Sequence, residues 1–195
     1  MCVEIDIPDS SSGIYKIETF EVTEKEAKFQ NMRAAFSFSD RGLYIKPGTY
    51  KRLLRNQEVI MSNTPAEIAG CDRFIREACE RGGNILINGL GLGVVLQALL
   101  GGPTLTVITS ITVIEISGDV IKLVAPYFTE PRVKIIQGDA FTYKPPKGKR
   151  YSAVWHDIWD NICSDNLSAM ARLHRKYARK CDWQGSWSKD EATRR

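Results

Sequence analysis

The sequence predicts an α/β fold: a doubly wound, mainly parallel sheet, truncated at its carboxyl end and preceded by a small α+β preamble. Three observations predict it. Short β-branched runs alternate with helical segments from about residue 83 onward. Each run is apolar enough to be covered on both faces, as strands of a parallel sheet are. A glycine-rich turn follows the first run and opens a helix. The 195 residues suit one core with a small appendage. The expected division is a preamble at 1–62, the sheet domain at 63–182 and a tail at 183–195.

Within the preamble, residues 14–22 alternate with period two, as a half-buried strand does, and residues 24–36 have helical composition. Lys46-Pro47-Gly48-Thr49 marks a turn. Thr64-Pro65-Ala66-Glu67 has the pattern of a capping box with proline at the first helical position. It predicts one helix through Ile68, Phe74, Ile75 and Ala78 to a stop at Gly82-Gly83. Ile85-Leu86-Ile87 reads as the first sheet strand, residues 93–100 as a strongly apolar helix and residues 111–116 as the second strand. Ser117 is placed to cap a helix running to about Tyr127. Residues 133–136 and 151–156 supply the third and fourth strands, and a closing helix spans about 165–180.

Right-handed crossovers give the strand order 3-2-1-4, with a ligand crevice between strands 1 and 4 at their carboxyl ends. Residues 181–187 hold too little apolar sequence for a further strand, and residues 188–195 read as solvated. The sheet edge then needs cover, from the amino-terminal strand or from a second copy in a homo-oligomer.

Hydrophobic residues make up 43% and charged residues 26%, which excludes a disordered chain. The most apolar segments, residues 94–100 and 111–116, fall far short of the roughly 20 residues that span a bilayer. Acids at Glu4 and Asp6 replace the basic start of a secretory signal, so no membrane association and a cytoplasmic location are expected. Five cysteines at irregular spacing, with no C-x-x-C pair, signal neither a disulfide framework nor a metal site. Residues 144–195 carry 12 of the 27 basic but only 6 of the 23 acidic residues.

The chemistry concentrates at the carboxyl ends of the predicted strands. Asn88-Gly89-Leu90-Gly91-Leu92-Gly93 follows strand 1 directly. A P-loop needs Gly-Lys-Ser/Thr at its end, and Leu92-Gly93-Val94 has neither lysine nor hydroxyl. A dinucleotide loop needs its third glycine at 94, where Val94 stands. The observed G-x-G-x-G suits a nucleoside without a pyrophosphate whose amino-acid end lies along the loop, which points to S-adenosylmethionine or a relative. Glu115 ends strand 2, 22 residues after Gly93, where a carboxylate accepts from both ribose hydroxyls. An acid between Ile114 and Ile116 is costly without a partner, which favours a ligand. Gly138-Asp139-Ala140 sets a further carboxylate at the next strand end, in reach of an adenine amino group.

Strand 4 ends in Trp155-His156-Asp157-Ile158-Trp159-Asp160. Asp157 faces the crevice as a general base, and Asp160 either anchors a substrate cation or caps the following turn. Trp155 and Trp159 are placed to wall such a site by cation–π contact. His156 points to the opposite strand face and reads as structural.

With these residues assembled, residues 61–160 resemble class I S-adenosylmethionine-dependent methyltransferases, and among them the spermidine-synthase-like branch. The resemblance rests on Ile85 to Gly93, Ile114-Glu115-Ile116-Ser117, Gly138-Asp139-Ala140-Phe141 and Asp157-Ile158-Trp159-Asp160, in that order. It implies a Rossmann-like cofactor domain over 63–182. It also implies cofactor contacts from Asn88, Gly89, Leu90, Gly91, Gly93, Glu115, Ile116, Asp139 and Ala140, and a reaction centre at Asp157 and Asp160. Leu92 stands where aminopropyltransferases carry an aspartate, and Gly70-Cys71 replaces their polyamine-gripping tyrosine and amide or imidazole. Methyl transfer from S-adenosylmethionine to a small-molecule acceptor is therefore the first expectation. Aminopropyl transfer from decarboxylated S-adenosylmethionine is the second, and a non-catalytic binding or assembly module is the third. The basic helix with Arg172, Arg175, Lys176, Arg179 and Lys180 keeps a nucleic-acid partner open, although a solvated helix face explains the same residues.

Overall fold

Leu86 and the residues beside it show why a parallel sheet forms: Ile85, Leu86 and Ile87 are all buried, which only a strand covered on both faces requires. The computed structural model describes residues 3–36, 44–101, 107–161 and 163–194. An antiparallel sheet comes first. It pairs β1 (Ser10–Ser12), β2 (Tyr15–Val22), β3 (Gly48–Arg55) and β4 (Glu58–Ser62) in sequence order, with α1 (Glu24–Phe36) between β2 and β3. In β2 and β3, Ile17 sits opposite Leu53, and both are fully buried. The β3–β4 hairpin turns at Asn56 and Gln57, whose φ values of 49° and 70° give the mirror-image turn that matches strand twist.

The segment from Thr64 to Arg81 departs from the single predicted helix. It forms α2 (Pro65–Ala69) and α3 (Asp72–Arg81), parted at Gly70-Cys71. The predicted capping box does not form. Thr64 makes no side-chain cap bond, its hydroxyl lies 3.0 Å from that of Ser62, and Glu67 turns away toward a cavity. Glycine inside a helix costs about 1 kcal/mol relative to alanine, and Gly70 takes the break. The reorientation stacks Phe74 of α3 on Trp155 at 5.2 Å between centroids.

The second sheet contains β5 (Gly83–Asn88), β6 (Ile108–Glu115), β7 (Val133–Gln137), β8 (Tyr151–His156) and β9 (Cys181–Ser186). All neighbours are parallel and the spatial order is β7-β6-β5-β8-β9, so the four predicted strands stand in the order 3-2-1-4. Helix α4 (Val94–Leu100) follows β5, α5 (Gly118–Val124) follows β6, and α6 (Asn166–Tyr177) follows β8. Ser117 caps α5 as expected, accepting from the Val120 N–H at 3.2 Å.

The expectation that the sheet is truncated after strand 4 is overturned by β9, which pairs along β8 from Tyr151↔Cys181 to His156↔Ser186. This strand is held by rings and polar contacts, where β5, β6 and β7 use branched side chains. Trp183 stacks on Phe74, Gly185 lies flat under Trp155 and Trp183, and the Ser186 hydroxyl lies 2.9 Å from His174 Nε2. Beyond it, α7 (Lys189–Arg194) buries Ala192 against the body of the fold, where the sequence reads as a solvated tail.

One apolar cluster joins the two sheets. Val3, Ile5, Ile7, Ile17 and Leu53 from the amino-terminal part pack with Ile68, Phe74, Leu92 and Val113. The first sheet is thus fixed beside the carboxyl ends of the second. No disulfide joins the described cysteines, and Cys2 lies outside the described residues. No helix among the described residues is long and apolar enough to cross a membrane.

Candidate functional site

The glycine turn is shaped first by the protein itself. Gly89 has φ 101°, and a Cβ on it would collide with the Asp157 carbonyl, so only glycine lets the β5 and β8 ends lie this close. The Gly89 N–H donates to the Ile114 carbonyl and the Asp157 N–H to the Asn88 carbonyl, both at 2.8 Å. Three neighbouring strand ends are thereby laced into one rim.

Glu115, 8% exposed, closes the lacing. Its Oε2 accepts the Leu90 N–H and its Oε1 the Ser117 N–H, each at 2.8 Å. A carboxylate has about four acceptor positions. Two hold the protein, and the remaining capacity serves the cavity that Glu115 lines. On the next strand end, Asp139 Oδ1 accepts the Phe141 N–H at 2.8 Å. Lys176 of α6 donates to the Ala140 carbonyl at 2.7 Å and to that of Phe141 at 3.0 Å, while Arg172 stacks over the Phe141 ring. Two members of the basic helix thus brace this loop.

Asp157 follows β8 directly and is a perturbed carboxyl of the rim. Burial first, and the charge of Glu67 second, raise its carboxyl from 3.8 to about 7. Burial raises Glu67 itself from 4.5 to about 7. Among the described residues, no cationic side chain pairs with either carboxylate. Asp160 differs, because Arg55 of β3 holds it in an ion pair at 2.5 Å with both side chains 39% exposed.

These groups surround a cavity of about 370 Å³. Of the residues expected at the site, Gly89, Gly91, Glu115, Ile116, Asp139, Ala140, Asp157 and Asp160 line it. Three others do not. Asn88 is fully buried with its Nδ2 2.8 Å from His156 Nδ1, Leu90 packs into the core, and Gly93 abuts Phe128. They shape the rim from behind. Trp159 lines the cavity as expected, whereas Trp155 is buried against Phe74, so its cation–π role is withdrawn. His156 behaves as read from sequence: it is fully buried, and burial pushes its imidazole down to about 3, which keeps it neutral.

Sequence reasoning missed the roof. Tyr15, Arg55 and Met61 descend from the first sheet, and Glu67 and Trp187 close the sides. The signal for Glu67 was present in Thr64-x-x-Glu67 but has the same spacing as a helix cap. Among the described residues, no cluster of three or more His, Cys, Asp or Glu is placed to hold a metal ion.

No family model and no curated protein matches the chain. Among solved structures, it is similar to a Staphylococcus aureus protein provisionally described as a caffeoyl-CoA O-methyltransferase. The two share 20% identity and a TM-score of 0.45 over 58% of this chain and 52% of the other. A Pyrococcus horikoshii protein provisionally described as an RNA methyltransferase gives 16% identity and a TM-score of 0.46 over 66% and 64% of the two chains. The plantazolicin methyltransferase BpumL in complex with SAH gives 16% and 0.43 over 58% and 44%. The matched part of the chain therefore spans 44% to 64% of the length of these structures.

Proposed function

We propose that the chain is an S-adenosylmethionine-dependent methyltransferase acting on a small-molecule acceptor. The observation that carries this reading is Glu115: a buried carboxylate, pinned by two main-chain N–H groups, with its spare acceptor capacity on the cavity wall. That capacity suits the two hydroxyls of a ribose. Asp139 Oδ2, to which no described residue donates, suits an adenine amino group. Gly89 and Gly91 line the cavity along the turn, and their carbonyls suit the ammonium of an amino-acid tail.

Bound in this way, S-adenosylmethionine would supply a sulfonium-activated methyl group. The protein's own work is to align an acceptor and manage its proton. Asp157 is suited to the proton, because a carboxyl held near 7 is a base matched to neutral pH. Arg55 and Asp160 hold each other at the mouth beside Trp159, so Asp160 positions the wall and Asp157 is the base. A small acceptor is preferred to a nucleic acid because Arg172 and Lys176 are already engaged on the Ala140–Phe141 loop.

One observation favours a second reading. Glu67 and Asp157 face the same cavity with no cationic partner among the described residues, which suits a protonated amine and hence aminopropyl transfer from the decarboxylated cofactor. Thermal-shift titration separates the readings. A ligand at 100 times its Kd adds about 2.7 kcal/mol, which shifts Tm by roughly 5–10 °C for a chain of this size. A shift with S-adenosylmethionine and S-adenosylhomocysteine supports methyl transfer, and one confined to the decarboxylated form supports the alternative. If no ligand shifts Tm, both enzyme readings fail and the non-catalytic module stands.

A further inference from the structure

Resting on the reading of the cavity as an adenosylmethionine-type site, we infer that Met61 is a specificity residue that sorts adenosine ligands by whether they carry an amino-acid tail. Met61 reaches from β4 of the first sheet across to the glycine turn of the second. Its thioether fills the space above Gly91, where a Cβ would collide with Sδ. The Leu92 N–H donates to that sulfur at 3.3 Å. Met61 also lines both the main cavity and a smaller pocket bounded by Gly89, Gly91 and Asp157.

The amides of the turn explain why this contact matters. Those of Gly89, Leu90 and Gly93 donate to the Ile114 carbonyl, the Glu115 carboxylate and the Leu90 carbonyl. Leu92 alone is satisfied by sulfur. A thioether is a weak acceptor and a carboxylate a strong, charge-assisted one. Methionine also has three rotatable bonds, so it moves aside at low cost. A ligand whose tail carries a carboxylate takes over the Leu92 N–H by displacing Met61. A nucleoside thioether that ends at a methyl group leaves Met61 in place. Met61 thus opposes one ligand class and ignores the other.

The experiment is calorimetric titration of S-adenosylhomocysteine and 5′-methylthioadenosine into the wild type, Met61→Ala and Met61→Leu. Met61→Ala is expected to bind the homocysteine ligand about fivefold more tightly, close to 1 kcal/mol, with methylthioadenosine unchanged. Met61→Leu restores the bulk but not the sulfur acceptor, and it is expected to bind the homocysteine ligand less tightly than Met61→Ala. In the wild-type chain labelled at methionine methyl carbons, the Met61 methyl resonance is expected to shift with the homocysteine ligand and to stay put with methylthioadenosine. This readout holds even if a variant fails to fold. Equal affinity changes for the two ligands, or a methyl resonance that responds alike to both, overturns the inference and leaves the site reading intact. If neither nucleoside binds the wild type, the site reading fails and the inference falls with it.

Discussion

The carboxylate of Glu115 accepts the main-chain N–H of Leu90 at 2.8 Å, so the acid at the end of β6 is itself a strut of the glycine turn that follows β5. One residue therefore serves fold and ligand together. Glu115→Ala leaves the Leu90 and Ser117 amides without their acceptor. Charge-assisted bonds of this kind contribute about 1.5–3 kcal/mol each, less when solvent reaches the freed amide, so a loss of roughly 2 kcal/mol is expected. Urea unfolding measures it. An unchanged midpoint would mean that the strut carries no load.

Asp157 and Glu67 make stability fall with rising pH. Both carboxyls are raised to about 7 in the fold, Asp157 from 3.8 and Glu67 from 4.5. Between their ordinary values and pH 7, the folded chain holds protons that the unfolded chain has released, so folding is weakened as pH climbs through that window and levels off above it. The double variant Glu67→Gln, Asp157→Asn keeps the shape and removes both ionisations. Its urea midpoint at pH 8 is expected to lie closer to its own value at pH 5 than in the wild type. The same spread in both proteins would contradict the assignment.

His156 has the opposite sign. Burial pushes its imidazole from 6.5 to about 3. Its contribution is complete above 6.5 and is lost as pH falls toward 3, because the unfolded chain takes up a proton that the folded chain refuses. The ring-proton resonance of His156 is expected to stay constant between pH 8 and pH 5. A titration midpoint near 6.5 would show that the ring is not sealed between Asn88 and Gln184.

Asp157 and Asp160 lie one turn apart in sequence but differ in role. A general base contributes about 10²–10⁴-fold, so Asp157→Asn is expected to reduce methyl transfer by at least 100-fold, with the rate of the wild type rising through pH 7. Half-exposed ion pairs contribute only about 0–1 kcal/mol. Asp160→Asn is therefore expected to change kcat by less than about threefold. Single-turnover rates decide between them, and equal losses would return Asp160 to the catalytic centre.

The acids of the site were legible because a charge at the end of an apolar strand is conspicuous. Glu115 between two isoleucines, and Asp157 after Ala153-Val154-Trp155-His156, announce themselves by their neighbours. Glu67 did not, since its spacing from Thr64 satisfies a local rule that the fold leaves unused. Strands β5, β6 and β7 followed from β-branched runs and β8 from its apolar residues, whereas β9 did not. Its sequence is polar, and its glycine is required by two tryptophan rings that meet only in three dimensions. The roof of the cavity was hidden for the same reason: nothing local in Tyr15, Arg55 or Met61 says that the first sheet leans over the second.

The central claim is that adenosine binds between the glycine turn, Glu115 and Asp139. The most direct test is the Kd for S-adenosylhomocysteine, measured by calorimetry on the wild type and on Asp139→Ala, which leaves the Glu115 strut intact. The account predicts saturable one-to-one binding, weakened by about tenfold in the variant for one lost hydrogen bond to a charged group. Absence of binding in the wild type, or equal affinity in the two proteins, would contradict it.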